Sequence, residues 1–222
     1  MKKLFLILML TIAFVALFFI VVLGQPRGER ENSRLLIYFQ GEQVGFEDFS
    51  WRQEGETYVL EGEGRLTKPI PMTVERLRIV VDLAYIPQRF EFKGTISGVE
   101  QEVKSVLNEG KVTNRIKAAG QEQTLTHTIK RDSFLLPNPI FAPYVILAKK
   151  YRCQLPNQEK PQEISIYVIP QVEIQGTIQP DETDPCILII HLGPTEIRLT
   201  TNPQGELVSL SVPSQRLEVV RR

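Results

Sequence analysis

From residue 34 to the C-terminus, apolar side chains recur at every second position, and that period admits few folds. Tyr58, Leu60 and Leu66, with Gly62 and Gly64 in their row, oppose Glu61, Glu63 and Arg65. Leu77, Ile79, Val81 and Leu83 oppose Arg76, Arg78 and Asp82, and Phe90 and Phe92 oppose Arg89, Glu91 and Lys93. Successive side chains of a strand point to opposite faces, so each row predicts a strand with one dry and one wet side. That is the pattern of an antiparallel sheet. Val99 and Val103, then Val112, Ile116 and Ala118, then Leu125 and Ile129 extend the series. About seven consecutive strands make a large curved meander.

The series opens with "RLLIYFQGEQVGFEDFSW", which predicts a hairpin turning at Gly41-Glu42. Val44 and Phe46 fall on one parity of its second strand, Phe49 and Trp51 on the other. A β-bulge near Glu47-Asp48 would bring all four to the core. One helix is predicted over residues 138–151. Asn138 suits the N-cap and Pro139 the first helical position, and Ile140, Phe141, Tyr144, Val145, Ala148 and Tyr151 follow a three-or-four spacing. Lys149, Lys150 and Arg152 complement the negative end of its dipole. Strands then resume in six runs, from "EISIYVIP" to "RLEVV". In residues 164–169 and 186–192 both parities are apolar, so these strands are expected to be covered on both faces, one of them by the helix.

Residues 4–23 are of a different kind. Lys2 and Lys3 precede an apolar run broken only by Thr11, and its twenty residues, rising about 1.5 Å each, cover roughly 30 Å, the thickness of a bilayer core. The run predicts a transmembrane helix or a signal peptide, with Lys2 and Lys3 inside and the rest of the chain outside. An uncleaved anchor makes this a single-pass cell-membrane protein; cleavage after Val22-Leu23-Gly24 makes it periplasmic. The chain thus divides into residues 1–24 (anchor or signal), 25–33 (a polar tether) and 34–222 (an extracytoplasmic β-rich domain). The predicted fold class is mainly β, a half-barrel sheet with one covering helix.

Composition excludes several functions. Lys plus Arg number 26 and Asp plus Glu also 26, so no net charge draws the chain to nucleic acid. No GxSxG, HExxH, phosphate loop or dinucleotide fingerprint occurs, so no enzyme, cofactor or metal is expected. His127 and His191, on separate strands, read as core residues rather than ligands. Carboxylates fall at outward positions; Glu61 and Glu63 could serve as acid and base only in a cleft that the sequence does not show. Lys149, Lys150 and Arg152, and the terminal Arg221 and Arg222, are too short and separate for a nucleic-acid stripe. Cys153 and Cys186 stand either as a disulfide, worth roughly 3–4 kcal/mol by loop closure, or as two separate buried thiols.

The opening "LLIYFQGEQVGFEDFSW", the charged-out strands and "LPNPIFAPYVILAKKY" before further strands resemble bacterial envelope proteins of the LolA-like half-barrel type. The resemblance spans residues 34–222 and rests on pattern and order. It implies a curved sheet wrapped round a helix and carriage of lipid chains, and it assigns no individual residue. The single span with an outer β domain is also similar to LptC-type lipid-transport bridges, though the helix departs from that pattern. An acyl chain inside such a half-barrel would meet a wall of Phe90, Phe92, Phe141, Tyr144, Val145 and Ala148. Two interiors stand open, a lipid-sized cavity and a packed core. The first implies a lipid or lipoprotein ligand; the second implies a structural or assembly subunit with an envelope-protein partner.

Overall fold

A computed structural model describes residues 30–153 and 161–222 of the chain. Eight strands come first: β1 (Glu31–Phe39), β2 (Glu42–Glu54), β3 (Thr57–Leu66), β4 (Met72–Asp82), β5 (Pro87–Ile96), β6 (Val99–Asn108), β7 (Lys111–Ala118) and β8 (Gln121–Thr128). A short β9 (Phe134–Leu136) and the helix α1 (Tyr144–Tyr151) follow. The chain finishes with β10 (Gln162–Val168), β11 (Val172–Pro180), β12 (Ile187–Leu192), β13 (Thr195–Thr201), β14 (Leu207–Val212) and β15 (Leu217–Arg221). The run at residues 4–23 lies outside the described residues. Within them no helix is long and apolar enough to cross a membrane.

The fifteen strands of the described residues join one open sheet in the order β8-β7-β6-β5-β4-β3-β2-β1-β15-β14-β13-β12-β11-β10-β9. Every pairing is antiparallel except β9 with β10. The inner row runs from Leu60 through Ile37, Val219, Leu210, Leu199 and Ile190 to Ile178, all buried. The domain edge differs from the expected one, since β1 begins at Glu31, inside the stretch read as a tether.

The ends of this sheet overlap. The inward face of β7 carries buried Val112, Asn114 and Ile116. Asn114 Nδ2 donates to Tyr167 Oη at 2.7 Å and to Pro170 O at 3.3 Å, so this face packs on the β10 face that carries Tyr167. The other face of β10 carries Ile164 and Ile166, also buried. Apolar side chains on both parities of β10 therefore have cover on both sides, from β7 on one and the interior on the other. The helix lies in that interior, nearest to β13 and β14, in one apolar cluster with Ile164, Ile166, Leu188 and Ile190.

Four local expectations are corrected. The first hairpin turns at Gln40-Gly41, both with positive φ, one residue earlier than the expected pair. The β2 irregularity lies opposite Ile37 and Tyr38, where Val44 is the extra residue, and not at Glu47-Asp48. Val44, Phe49 and Trp51 are buried as a result, but Phe46 points outward under the Arg34 guanidinium, 4.6 Å from its ring, and Glu47 points in. Leu83 and Val99 are not inward residues: Leu83 follows the end of β4, Val99 opens β6 at a turn, and both are exposed. The helix is one turn and more shorter than expected. Residues 139–143 form turns, the Asn138–Pro139 peptide is cis, and Pro143 stands at the N-cap, where its missing amide costs nothing.

Candidate functional site

The interior of the roll is where chemistry or a ligand would have to be. Residues Tyr144, Val145, Ile146, Leu147 and Ala148 of α1 are all buried, so the helix has no face left to solvent over its first five residues. Phe90, Phe92, Phe141, Tyr144, Val145 and Ala148 all belong to one apolar cluster, with exposures from 0% to 8%. Complete burial means that no water-sized sphere reaches Val145 or Ala148, from outside or from an internal void. Burial also pushes the Tyr144 hydroxyl far above its ordinary titration range.

The start of α1 is held by a group the alternation did not flag. Glu47 on β2 is 2% exposed. Its two oxygens accept from Phe141 N at 3.0 Å, and one of them also accepts from Ala142 N at 2.6 Å. Those amides stand just ahead of the helix, where backbone donors lack intrahelical partners. Gly64, opposite Glu47, leaves room for it: a Cβ there would lie 2.8 Å from Glu47 Cγ. Burial pushes the carboxyl up to about 7 against the downward pull of both backbone donors.

The far end of α1 is tied by charge and by sulfur. Lys149 Nζ lies 2.6 Å from Glu31 Oε2, and Arg221 Nη1 lies 2.9 Å from Glu31 Oε1. Arg221 also reaches Glu206 at 3.6 Å, and Asn202 donates to Glu206 at 2.7 Å. Lys149, Glu31 and Arg221 are mostly enclosed, and together with Glu206 they form a neutral cluster linking the first strand, the helix and the last strand. Cys153 and Cys186 form a disulfide between the second residue after the helix and the residue just ahead of β12. Trp51, Tyr58 and Tyr85 lie with near-parallel rings, 5.1 to 6.4 Å between centroids.

No family model, curated protein or solved structure matches this chain. Its own groups must carry the argument. Among the described residues, no three His, Cys, Asp or Glu side chains converge as a metal site. His127 and His191 lie apart. His127 faces inward with its ring 6.0 Å from that of Tyr167, and its enclosed Nε2 has no hydrogen-bond partner among the described residues. His191 is half-buried on the outer parity of β12, with Ile187 and Ile189. Glu61 and Glu63 do not form an acid–base pair in a cleft. Arg52, at 2.7 Å, and Arg78 hold Glu61 below the usual carboxylate range on the outer face, while Glu63 is exposed.

Two polar clusters fasten the overlap of the sheet ends. Ser105 Oγ donates to Asn114 Oδ1 at 2.7 Å, and Tyr167 Oη donates to Pro170 O at 2.8 Å, completing the bonds around Asn114. Glu173 on β11 accepts from Lys130 N at 2.7 Å, from Ser165 Oγ at 2.7 Å and from Ser133 Oγ. Burial raises the Glu173 carboxyl, and these donors together more than reverse it. Sequence reading placed no residue of either cluster: Asn114 meets Tyr167 only when the sheet rolls up, and Glu173 ties residues 130–133, ahead of β9, to β10 and β11, which no local pattern states.

Proposed function

We propose that this chain is a non-enzymatic envelope protein, held at the membrane by residues 4–23, whose β domain acts outside the cytoplasm as a solid module binding another envelope protein. The enclosure of α1 carries this reading. Val145 and Ala148, both at 0% exposure, have no space beside their own side chains, which supports a filled interior and recognition at the surface. That surface offers charges paired on the outer face, such as Arg34 with Asp48 at 2.6 Å, and β8, the end strand of the sheet.

One observation favours a second reading, carriage of an acyl chain or a lipidated protein in the manner that the LolA-like resemblance implies. The terminal strands β8 and β9 are not joined by a ladder, so the roll has a side-chain seam that can part without breaking strand pairing. A chain admitted there would meet Phe90, Phe92 and the apolar side of α1.

Ala148→Trp separates the two. In a filled interior the ring overpacks and costs roughly 1–3 kcal/mol or more. Thermal unfolding and mass spectrometry of co-purifying lipid should then show lost stability and no bound lipid in either protein. Stoichiometric lipid in the wild type, displaced by the tryptophan at little cost in stability, would overturn the solid-module reading in favour of carriage.

A further inference from the structure

The inner face of the sheet is apolar around Glu47, and among the described residues no cation answers its charge. Leu35 of β1 and Gly64 of β3 stand opposite it, and Val74 and Leu77 of β4 with Ile140 and Ala142 line its slot. Of the charged groups nearby, Asp48 of β2 is paired with Arg34 and Glu63 of β3 is exposed, both on outward positions. The elements β1 and β4 and the approach to α1 bring no titratable group to the slot among the described residues. The slot is too narrow for a water molecule. An ionised carboxylate here has only the amides of Phe141 and Ala142 to replace its hydration, whereas the neutral acid, protonated on Oε1, keeps both donors on Oε2 without a buried charge.

We propose that Glu47 is a proton-operated latch for α1: protonated, it pins Phe141 and Ala142 to the inner face, and deprotonated, it lets the turn leading into the helix part from the sheet more readily. The carboxyl titrates near 4.5 when free and about 7 when latched. A group whose titration is raised in the closed form contributes fully below the lower value and loses its contribution as pH climbs to the upper one. Opening therefore rises about tenfold per pH unit between about 4.5 and 7 and levels off above. The latch sets the pH response of the helix and stands under either functional reading, since it concerns the helix and not its ligand.

The test is amide hydrogen exchange at residues 141–146 of the full chain in detergent micelles, corrected for the intrinsic pH dependence of exchange. Wild-type protection is expected to fall about tenfold per unit across that window and then stay level, while Glu47→Gln, permanently uncharged, shows no such slope. Equal slopes in the two proteins, or a level wild type, would overturn the latch. Should the glutamine variant fail to fold, carbon-13 titration of wild-type carboxyls decides. A Glu47 signal titrating near 7 sustains the proposal, and one in the ordinary carboxylate range ends it.

Discussion

A single absent methyl group makes room for the helix anchor. Gly64 faces Glu47 across the β2–β3 ladder, and a Cβ there would lie 2.6 Å from Phe46 O and 2.8 Å from Glu47 Cγ. The first of these atoms is backbone in mid-strand and cannot swing aside. Gly64→Ala should therefore destabilise the domain by roughly 1–3 kcal/mol, with denaturant titration as the measure. A change within about 0.5 kcal/mol would show that the ladder yields freely at this point. Gly41 is a contrasting case, with φ of 84° in the first turn and nothing near its missing side chain. Its constraint is backbone conformation alone. Both glycines are visible in the sequence, and only Gly41 announces its reason. Gly64 reads as one more inward residue of a strand, because Glu47 was assigned to the wet face.

Strand elements were legible wherever burial depends on parity alone. Leu77, Ile79 and Val81, and Phe90 and Phe92, face inward as their alternation requires. Legibility fails where parity shifts. Val44 is an extra residue against β1, and its position depends on how two strands register, which no local pattern states. That shift turns Phe46 out and Glu47 in. The amides that receive Glu47 lie some ninety residues along the chain, so nothing near Glu47 in the sequence marks it for the core. The helix start was misplaced for the same reason: Phe141 and Ala142 spend their amides on Glu47 and stay outside α1. Its other end depends on Cys153–Cys186, whose separation is 33 residues. Closing such a loop stabilises by roughly 4 kcal/mol in the chain-entropy model. Reduction, or Cys153→Ser with Cys186→Ser, should lower the melting temperature accordingly, and an unchanged transition would show that Lys149, Glu31 and Arg221 suffice to hold the helix end.

At the scale of the whole molecule the last strand is a centrepiece and not an end. β15 sits between β1 and β14, so the meander of the first eight strands and that of the final ones meet through it. Removing residues 217–222 should abolish the cooperative thermal transition and most of the β signal in the far ultraviolet, where trimming an edge would cost only a fraction. A truncated protein that still melts in one sharp step would show that β1 and β14 can pair directly.

The place of β15 also bears on how the chain is made. Leu35 pairs with Arg221, 186 residues further along, so β1 waits for that whole stretch to leave the ribosome before this edge is closed. At 5–20 residues per second this delay is on the order of ten seconds or more. Throughout it, β1 presents a row of unpaired amides and carbonyls beside buried-type side chains such as Leu35 and Ile37. Such an open edge is a template for the wrong neighbour, so the nascent chain is a natural client for whatever chaperone shields β1 until β15 has emerged to pair with it.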